Sequence, residues 1–170
     1  MAILACIVLT QTFGQSQRKV NTYFFVQGNK TVYDRTITNN SVGFGLGLQA
    51  FLNNKSKFKP TIEVNNNIFG GTKELYLTTD GKPIYGKSEV TNIFFGYTFS
   101  LADNFYVGFI LGPSFIDSDP YLGIKPKVGF YFSEKKRISG TLSLTSIFQR
   151  DNISNKSFGY FSLGMGFKLF

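Results

Sequence analysis

Residues 162–170, SLGMGFKLF, alternate between apolar and polar or glycine residues until the last position. The apolar series begins one residue earlier and takes every second position: Phe161, Leu163, Met165, Phe167 and Leu169. Successive side chains of a β-strand point to opposite faces, so this segment predicts a strand with one apolar face and one polar or bare face. The rest of the sequence must show what covers the apolar face.

The same period of two recurs in seven upstream segments and predicts eight strands in all. In residues 41–52, SVGFGLGLQAFL, Val42, Phe44 and Leu46 begin the apolar series, and glycines and Gln49 fill the other face. The composition of 18 glycines, 17% aromatic residues and 16% charged residues favours β-structure. The other segments are 19–27, 60–69, 91–101, 104–112, 121–132 and 137–148. At 170 residues the chain predicts one domain.

The predicted connections alternate in length. Short polar turns are expected at residues 53–57, 102–104 and 133–136. Longer connections are expected at residues 28–40, 70–89, 116–120 and 150–156, with Asp80-Gly81 as a hairpin tip in the second of these. Short turns at one end and long loops at the other are typical of an up-and-down barrel that crosses an outer membrane. Pro126 lies within the sixth predicted strand, where it removes one ladder donor.

The N-terminal segment differs from the rest. Residues 1–10 are an apolar block, and the small residues Thr12, Gly14 and Ser16 follow at the alternate positions that a signal peptidase requires. We expect an export leader over residues 1–16 and a barrel domain over residues 17–170. The missing basic stretch suggests a true start upstream of Met1, and a buried first strand is the alternative. Cys6, the single cysteine, falls within the leader.

Two kinds of eight-stranded barrel fit this alternation. A soluble lipocalin-like barrel would keep the apolar face inside to bind an apolar ligand, and a transmembrane barrel would turn it outward to lipid. The face opposite the apolar one is rich in Gly, Ser, Thr and Asn with a few aromatic residues, a mixture that could fill a narrow lumen. The orientation of four residues separates the two readings: Leu46, Phe95, Phe109 and Leu144.

The terminal strand resembles the recognition signal of bacterial outer-membrane barrel proteins. Ser162, Gly164, Phe167 and Leu169 fill its polar, glycine and hydrophobic positions, and Phe170 supplies the terminal aromatic residue. The whole mature chain is similar in architecture to the OmpA/OmpX-like group and to the outer membrane protein beta-barrel domain group. This resemblance implies an all-β, eight-stranded antiparallel up-and-down transmembrane β-barrel in the bacterial outer membrane. It also implies that the barrel-insertion machinery reads the terminal strand. We further expect contact with outer-membrane lipids, a monomeric state, and an extracellular partner for the loops 28–40 and 70–89, since binding is usually carried by the loops of a rigid barrel; neither the sequence nor the resemblance names that partner.

The net charge of +8 is unevenly distributed. The four predicted outer loops hold seven Lys or Arg and seven Asp or Glu, so the basic excess lies at the opposite rim and in the lumen. Bases at that rim suit anionic lipid headgroups, whereas nucleic acid would require a continuous basic surface in water. Glu63 is the one acid predicted inside, where it would face Lys125, Lys127 and Lys168. A structural charge network and a narrow anion-preferring lumen are both open at this point.

The sequence argues against an enzyme. It contains no histidine, which the barrel enzymes of the outer membrane use as a general base, and its cysteine lies in the predicted leader. Residues 117–120, DSDP, lack the spaced ligands and the glycine of a calcium loop. We therefore expect no cofactor or metal, and a structural, surface-interaction or accessory role.

Overall fold

The structure is a computed structural model, and it describes residues 20–33, 41–52, 56–77, 83–116, 119–148 and 158–169. Eight strands account for most of these residues. The predicted leader, residues 1–16, lies outside these ranges. Within them, no helix is long and apolar enough to cross a bilayer. The strands are β1 (Val20–Tyr33), β2 (Val42–Leu52), β3 (Phe58–Leu77), β4 (Pro83–Ser100), β5 (Phe105–Ile116), β6 (Asp119–Tyr131), β7 (Ile138–Phe148) and β8 (Phe158–Lys168).

The strands form one closed barrel. Each strand pairs antiparallel with the next along the chain, and β8 pairs with β1 to close the ring. At this closing seam Phe24 of β1 lies opposite Phe167 of β8. The apolar strand β8 is therefore hydrogen-bonded along both edges, to β1 and to β7. The prediction of an all-β, eight-stranded antiparallel up-and-down barrel is confirmed.

The apolar face of every strand points outward. Leu46, Phe95 and Phe109 are 44%, 50% and 51% exposed, and Leu144 stands on the outer wall between the buried Ser143 and Thr145. The outward orientation of these four residues excludes the soluble lipocalin-like alternative, which needs them inside. An outer wall built of such side chains around a polar interior is the arrangement of a membrane-spanning barrel.

The two ends of the barrel differ. At the turn end, residues 101–104 and 132–137 make tight connections. At the hairpin end, β3 and β4 stay paired as far as Leu77 and Pro83 and enclose the predicted Asp80-Gly81 tip, which lies outside the described residues. The 20 residues of β3 and the 18 of β4 exceed the roughly 9–11 residues that a bilayer-spanning strand needs.

Three predicted loop boundaries are wrong. The predicted loop 28–40 is strand as far as Tyr33, and the predicted loop 70–89 is strand except for residues 78–82, which lie outside the described ranges. The predicted loop 116–120 is also mostly strand, because β5 ends at Ile116 and β6 begins at Asp119. The period-two signal depends on contrast between the two faces. Where both faces of a strand meet water, their residues no longer differ in hydropathy, although the backbone hydrogen bonds between the strands continue.

Pro126 is accommodated without a change of register. On one side it lies opposite Phe109 of β5, while on the other side the β6–β7 ladder runs from Ile124–Ser146 to Lys127–Ser143 and skips the pairs between them. Since proline has no N–H to donate, the break falls where a donor would be missing. Lys125 and Lys127, on either side of the proline, therefore keep their inward direction.

Candidate functional site in the barrel lumen

A cluster of three charges crosses the middle of the lumen. Glu63 points inward from β3, and Lys125 and Lys127 point inward from β6, three strands away around the wall. Lys125 Nζ lies 2.6 Å from Glu63 Oε1, and Lys127 Nζ lies 2.9 Å from Glu63 Oε2. All three side chains are buried. Each ammonium thus pairs with a different oxygen of the same carboxylate.

The carboxylate of Glu63 receives two further hydrogen bonds from neutral side chains. Asn65 Nδ2 donates to Oε1 at 2.9 Å, and Gln49 Nε2 donates to Oε2 at 3.3 Å. Four donors therefore surround two oxygens, which is about the number that an ionised carboxylate accepts. This saturation is the condition under which a buried charge is tolerated.

The two lysines also contact aromatic rings. Lys125 Nζ lies 5.6 Å from the ring centroid of Phe25, and Lys127 Nζ lies 5.9 Å from that of Phe51. These distances fall within cation–π range, so the rings add attraction to a cluster that has two positive charges and one negative charge.

Lys168, the fourth residue predicted for this network, is elsewhere. It lies at the end of β8, half-buried, in a register row that runs through Tyr23 and Gln49 to Glu63. At about 4.8 Å for each strand step, its Cα is roughly 14 Å along the wall from that of Glu63. The ion pairs of Glu63 come from β6, which is also three strands away, because Lys125 and Lys127 lie at the level of Glu63 along the barrel, whereas Lys168 lies at the turn end, where its backbone N–H donates to the carbonyl of Arg137.

A network of amides, centred on Asn67, continues from the charge cluster toward the hairpin end. Asn67 Oδ1 accepts from Gln27 Nε2 at 2.6 Å and from Asn29 Nδ2 at 2.8 Å. Asn67 Nδ2 donates to Asn65 Oδ1 at 2.6 Å and to Tyr160 Oη at 3.3 Å. The side chain therefore uses both its acceptor and its donor group to connect β1, β3 and β8.

Asn92 extends the same network from β3 to the neighbouring β4 and β5. Its Nδ2 donates to Asn65 Oδ1 at 2.7 Å and to Tyr160 Oη at 3.0 Å, and its Oδ1 accepts from Ser114 Oγ at 2.7 Å. Because Asn65 also donates to Glu63, the hydrogen bonds run without a break from Ser114 to the lysines. Sequence reasoning missed this network, although the NNN run at 65–67 on a period-two strand was a signal for it.

Aromatic and aliphatic side chains close the lumen at both ends of this polar layer. At the turn end, the rings of Tyr23, Phe51 and Tyr106 pack edge to face, with centroids 5.6 and 5.9 Å apart along the series, and Tyr131 packs against them. At the hairpin end a second cluster is formed by Phe69, Val90, Ile116, Ile147, Phe158 and Tyr160. Between them the charge cluster borders a cavity of about 10 Å³, enough for about one water molecule.

The chemistry of the site follows from this packing. In the part of the chain that the structure describes, the lumen is a sealed core of polar side chains between two apolar layers. The cavity beside the charge cluster is too small for an apolar ligand or a hydrated ion, and among the described residues no three His, Cys, Asp or Glu side chains cluster to hold a metal. Of the two interpretations of the lumen charges, the arrangement supports the structural network.

The residues predicted as the insertion signal fall on both faces of β8. Ser162 is buried and points inward, and Gly164 also faces the lumen, where an added Cβ would lie 2.8 Å from Thr141 Oγ1. Phe167 and Leu169 are exposed on the outer wall. Phe170 lies outside the described residues. Recognition of this strand by the insertion machinery stays a prediction.

No protein-family model matches the sequence, and no curated protein matches it. Solved structures do match. Ail, the attachment invasion locus protein of Yersinia pestis, solved in complex with the heparin analogue sucrose octasulfate, is 14% identical, with a TM-score of 0.57 over 88% of this chain and 97% of that chain.

Two other barrels match over similar lengths. Neisserial surface protein A is 12% identical, with a TM-score of 0.55 over 91% of this chain and 100% of that chain. A de novo designed transmembrane β-barrel is 9% identical, with a TM-score of 0.58 over 91% and 100%. Identities this low concern the fold alone, and the chain has the fold of the small eight-stranded outer-membrane β-barrels.

Proposed function

We propose that this protein is a non-enzymatic, integral β-barrel of the bacterial outer membrane that holds the extended β3–β4 hairpin and its neighbouring loops outside the cell for a surface interaction. One observation carries the proposal: an outward apolar wall surrounds a lumen that is packed and sealed. A barrel built in this way offers its lipid-facing wall and its ends, and not its interior, for contact with other molecules.

The composition of the interior supports a non-enzymatic role. Glu63, Lys125 and Lys127 are paired with one another across the lumen, and the amides beside them are hydrogen-bonded in one network. The sequence contains no histidine, so the usual general base near neutral pH is missing. A charge network of this kind stabilises the barrel and positions no reacting group toward a substrate.

The hairpin end is the surface that we assign to a partner. Because β3 and β4 remain paired beyond the length that a bilayer needs, we place the outer part of this hairpin in the external solvent. The similarity in fold to an attachment protein and to a surface protein fits this assignment. The sulfated ligand of the attachment protein is not carried over, because the predicted outer loops hold equal numbers of acids and bases.

Membrane fractionation with heat-modifiable gel migration tests the membrane placement. The full-length chain, with the predicted export leader, is expected in the outer-membrane fraction as a band whose migration shifts on boiling. Protein found only in the soluble fraction, with no shift, would contradict the proposal.

A trimmed barrel tests the surface role separately. Gly70 and Lys87 lie opposite each other, so replacing residues 71–86 with Asn-Gly closes the hairpin with a two-residue turn near that pair. The trimmed barrel should keep its heat shift, while bacteria that display it should lose adherence to cell-coated surfaces that retain bacteria displaying the full-length chain. Equal adherence of the two forms would refute the surface role and leave the membrane placement intact.

A further inference from the structure

An apolar groove runs along the outer wall near the turn end, with a volume of about 570 Å³. Two adjacent rows of outward side chains on β6, β7, β8 and β1 form it. One row runs Phe130–Gly140–Met165–Val26, and the next runs Val128–Leu142–Leu163–Gly28. This volume lies within the range of small-molecule sites, although this wall otherwise faces disordered lipid chains.

Glycines create the depression. Nothing lies within 4 Å of the position that a Cβ would take at Gly28, which faces outward between Leu163 and Phe44. Gly140 is covered by its neighbours, since a Cβ there would lie 3.0 Å from Phe130 Cε1 and 3.3 Å from the ring of Phe132. The groove therefore has an open floor at Gly28 and an aromatic wall at the turn end.

Basic residues follow directly at that end of the groove. The exposed Phe132 leads into a turn with three consecutive bases and one acid: Glu134, Lys135, Lys136 and Arg137. Lys136 Nζ lies 5.3 Å from the ring centroid of Tyr131, toward the barrel mouth, whereas Lys135 and Arg137 are exposed. The backbone N–H of Lys168 donates to the carbonyl of Arg137 at 2.8 Å, which brings a fourth base to this rim, and Asp103 stands on the neighbouring turn.

We infer that this groove binds one anionic phospholipid of the periplasmic leaflet, with an acyl chain along Gly28 and Leu163 and the phosphate beside Lys135 and Arg137. The inference rests on the proposed membrane placement, which puts the turn end on the periplasmic side. Along the wall, the apolar groove is followed by the basic turn, which matches the order of acyl chain and phosphate in a phospholipid. A protein partner would not need that order.

Native mass spectrometry of the full chain in detergent micelles tests the inference. The probes are phosphatidylglycerol and phosphatidylcholine with identical acyl chains, each titrated against the folded barrel. We expect one phosphatidylglycerol to be retained in preference to phosphatidylcholine. Equal retention of the two lipids would overturn the inference, and so would a mass corresponding to a second copy of the chain in place of lipid.

Two pairs of matched variants locate the site. Gly28→Leu fills the groove floor, and we expect about tenfold weaker retention if about two methylene contacts are lost. Gly70→Leu is its control, because Gly70 also faces outward into open space but lies outside the groove. The double variant Lys135→Gln with Arg137→Gln removes two bases, at about fivefold each, and Lys57→Gln on another turn is its control.

The controls keep the inference separate from the proposed function. A heat-shifted band from each variant establishes that the barrel is folded before lipid is added. If the control variants lose as much lipid as the groove variants, the lipid does not bind in this groove, and the proposed membrane barrel is not contradicted. If the unmodified chain shows no heat shift, the membrane placement itself fails.

Discussion

Replacing Glu63 with glutamine should destabilise the barrel more than removing either lysine that it pairs with. The substitution keeps the shape of the side chain, but one of the two oxygens becomes an amide NH2 that cannot accept from an ammonium. One of the ion-paired hydrogen bonds, at 2.6 or 2.9 Å, is therefore lost, the other loses its anionic acceptor, and two buried ammonium groups are left without a counter-charge. At about 1.5–3 kcal/mol for a hydrogen bond to a charged group, the expected loss is roughly 3–6 kcal/mol in the free energy of unfolding.

The single-lysine variants are the matched comparison. Lys125→Met or Lys127→Met removes one of the two hydrogen bonds but leaves Glu63 with one partner, so that the lumen is electrically balanced. The expected loss for each is about 1.5–3 kcal/mol before the relief of the excess positive charge, and less after it. The order of stability should therefore be wild type, then either lysine variant, then Glu63→Gln.

Urea unfolding in lipid vesicles measures this order, with the heat-shifted band on a gel reporting the folded fraction. The triple variant with Glu63→Gln, Lys125→Met and Lys127→Met should recover much of the loss, because apolar groups can replace a buried ion network at little cost. If Glu63→Gln is as stable as either lysine variant, or if the triple variant is no more stable than Glu63→Gln, the cluster does not stabilise the barrel in the way argued.

Three further predictions concern the lumen, the wall and the last residue. Asn67→Leu should cost about 2–4 kcal/mol by leaving buried amide partners unpaired, whereas Val64→Leu, at an exposed apolar position on the outer wall of the same strand, should be close to neutral in the same urea titration. Leu163→Lys, at an outer-wall position that is 71% exposed, should cost about 2–4 kcal/mol, against about 0–1 for Phe132→Lys at the rim; equal costs would contradict the placement of the bilayer. Deletion of Phe170 should slow assembly in cells, measured by pulse-chase with the heat shift, without slowing refolding into vesicles, and equal slowing in both would argue against a recognition signal.

The wall of the barrel could be predicted from the sequence because each strand carries its own evidence. Large apolar side chains at every second position set the direction of all their neighbours, so Glu63, Lys125 and Lys127 were assigned to the same face before any contact was known. These three side chains can reach one another because the lumen of an eight-stranded barrel is narrow, and the strand count sets that width.

Other features depend on information that alternation does not contain. Lys168 lies at the turn end and not at the level of Glu63, and the sequence of one strand does not reveal its register against the other strands. Phe51, Phe69 and Ile147 are apolar and point inward, because they close the two ends of the lumen. Within one strand, an apolar residue on the inward face is a break in the alternation. Its role can be read once several such residues are seen to pack together at the same level of the barrel.

The order of layers inside the lumen explains why the barrel tolerates charge at its centre. Water reaches a polar lumen through its ends, and here the aromatic cluster at the turn end and the apolar cluster at the hairpin end block both. The amides and ions between them then have one another as partners in place of water, so each hydrogen bond lost is a full desolvation cost. A barrel in lipid gains little from burying apolar side chains on its outer wall after insertion. The paired polar layer is therefore the part of the interior that favours one register over its neighbours, since a slip of one residue would turn Glu63 and Asn67 toward lipid.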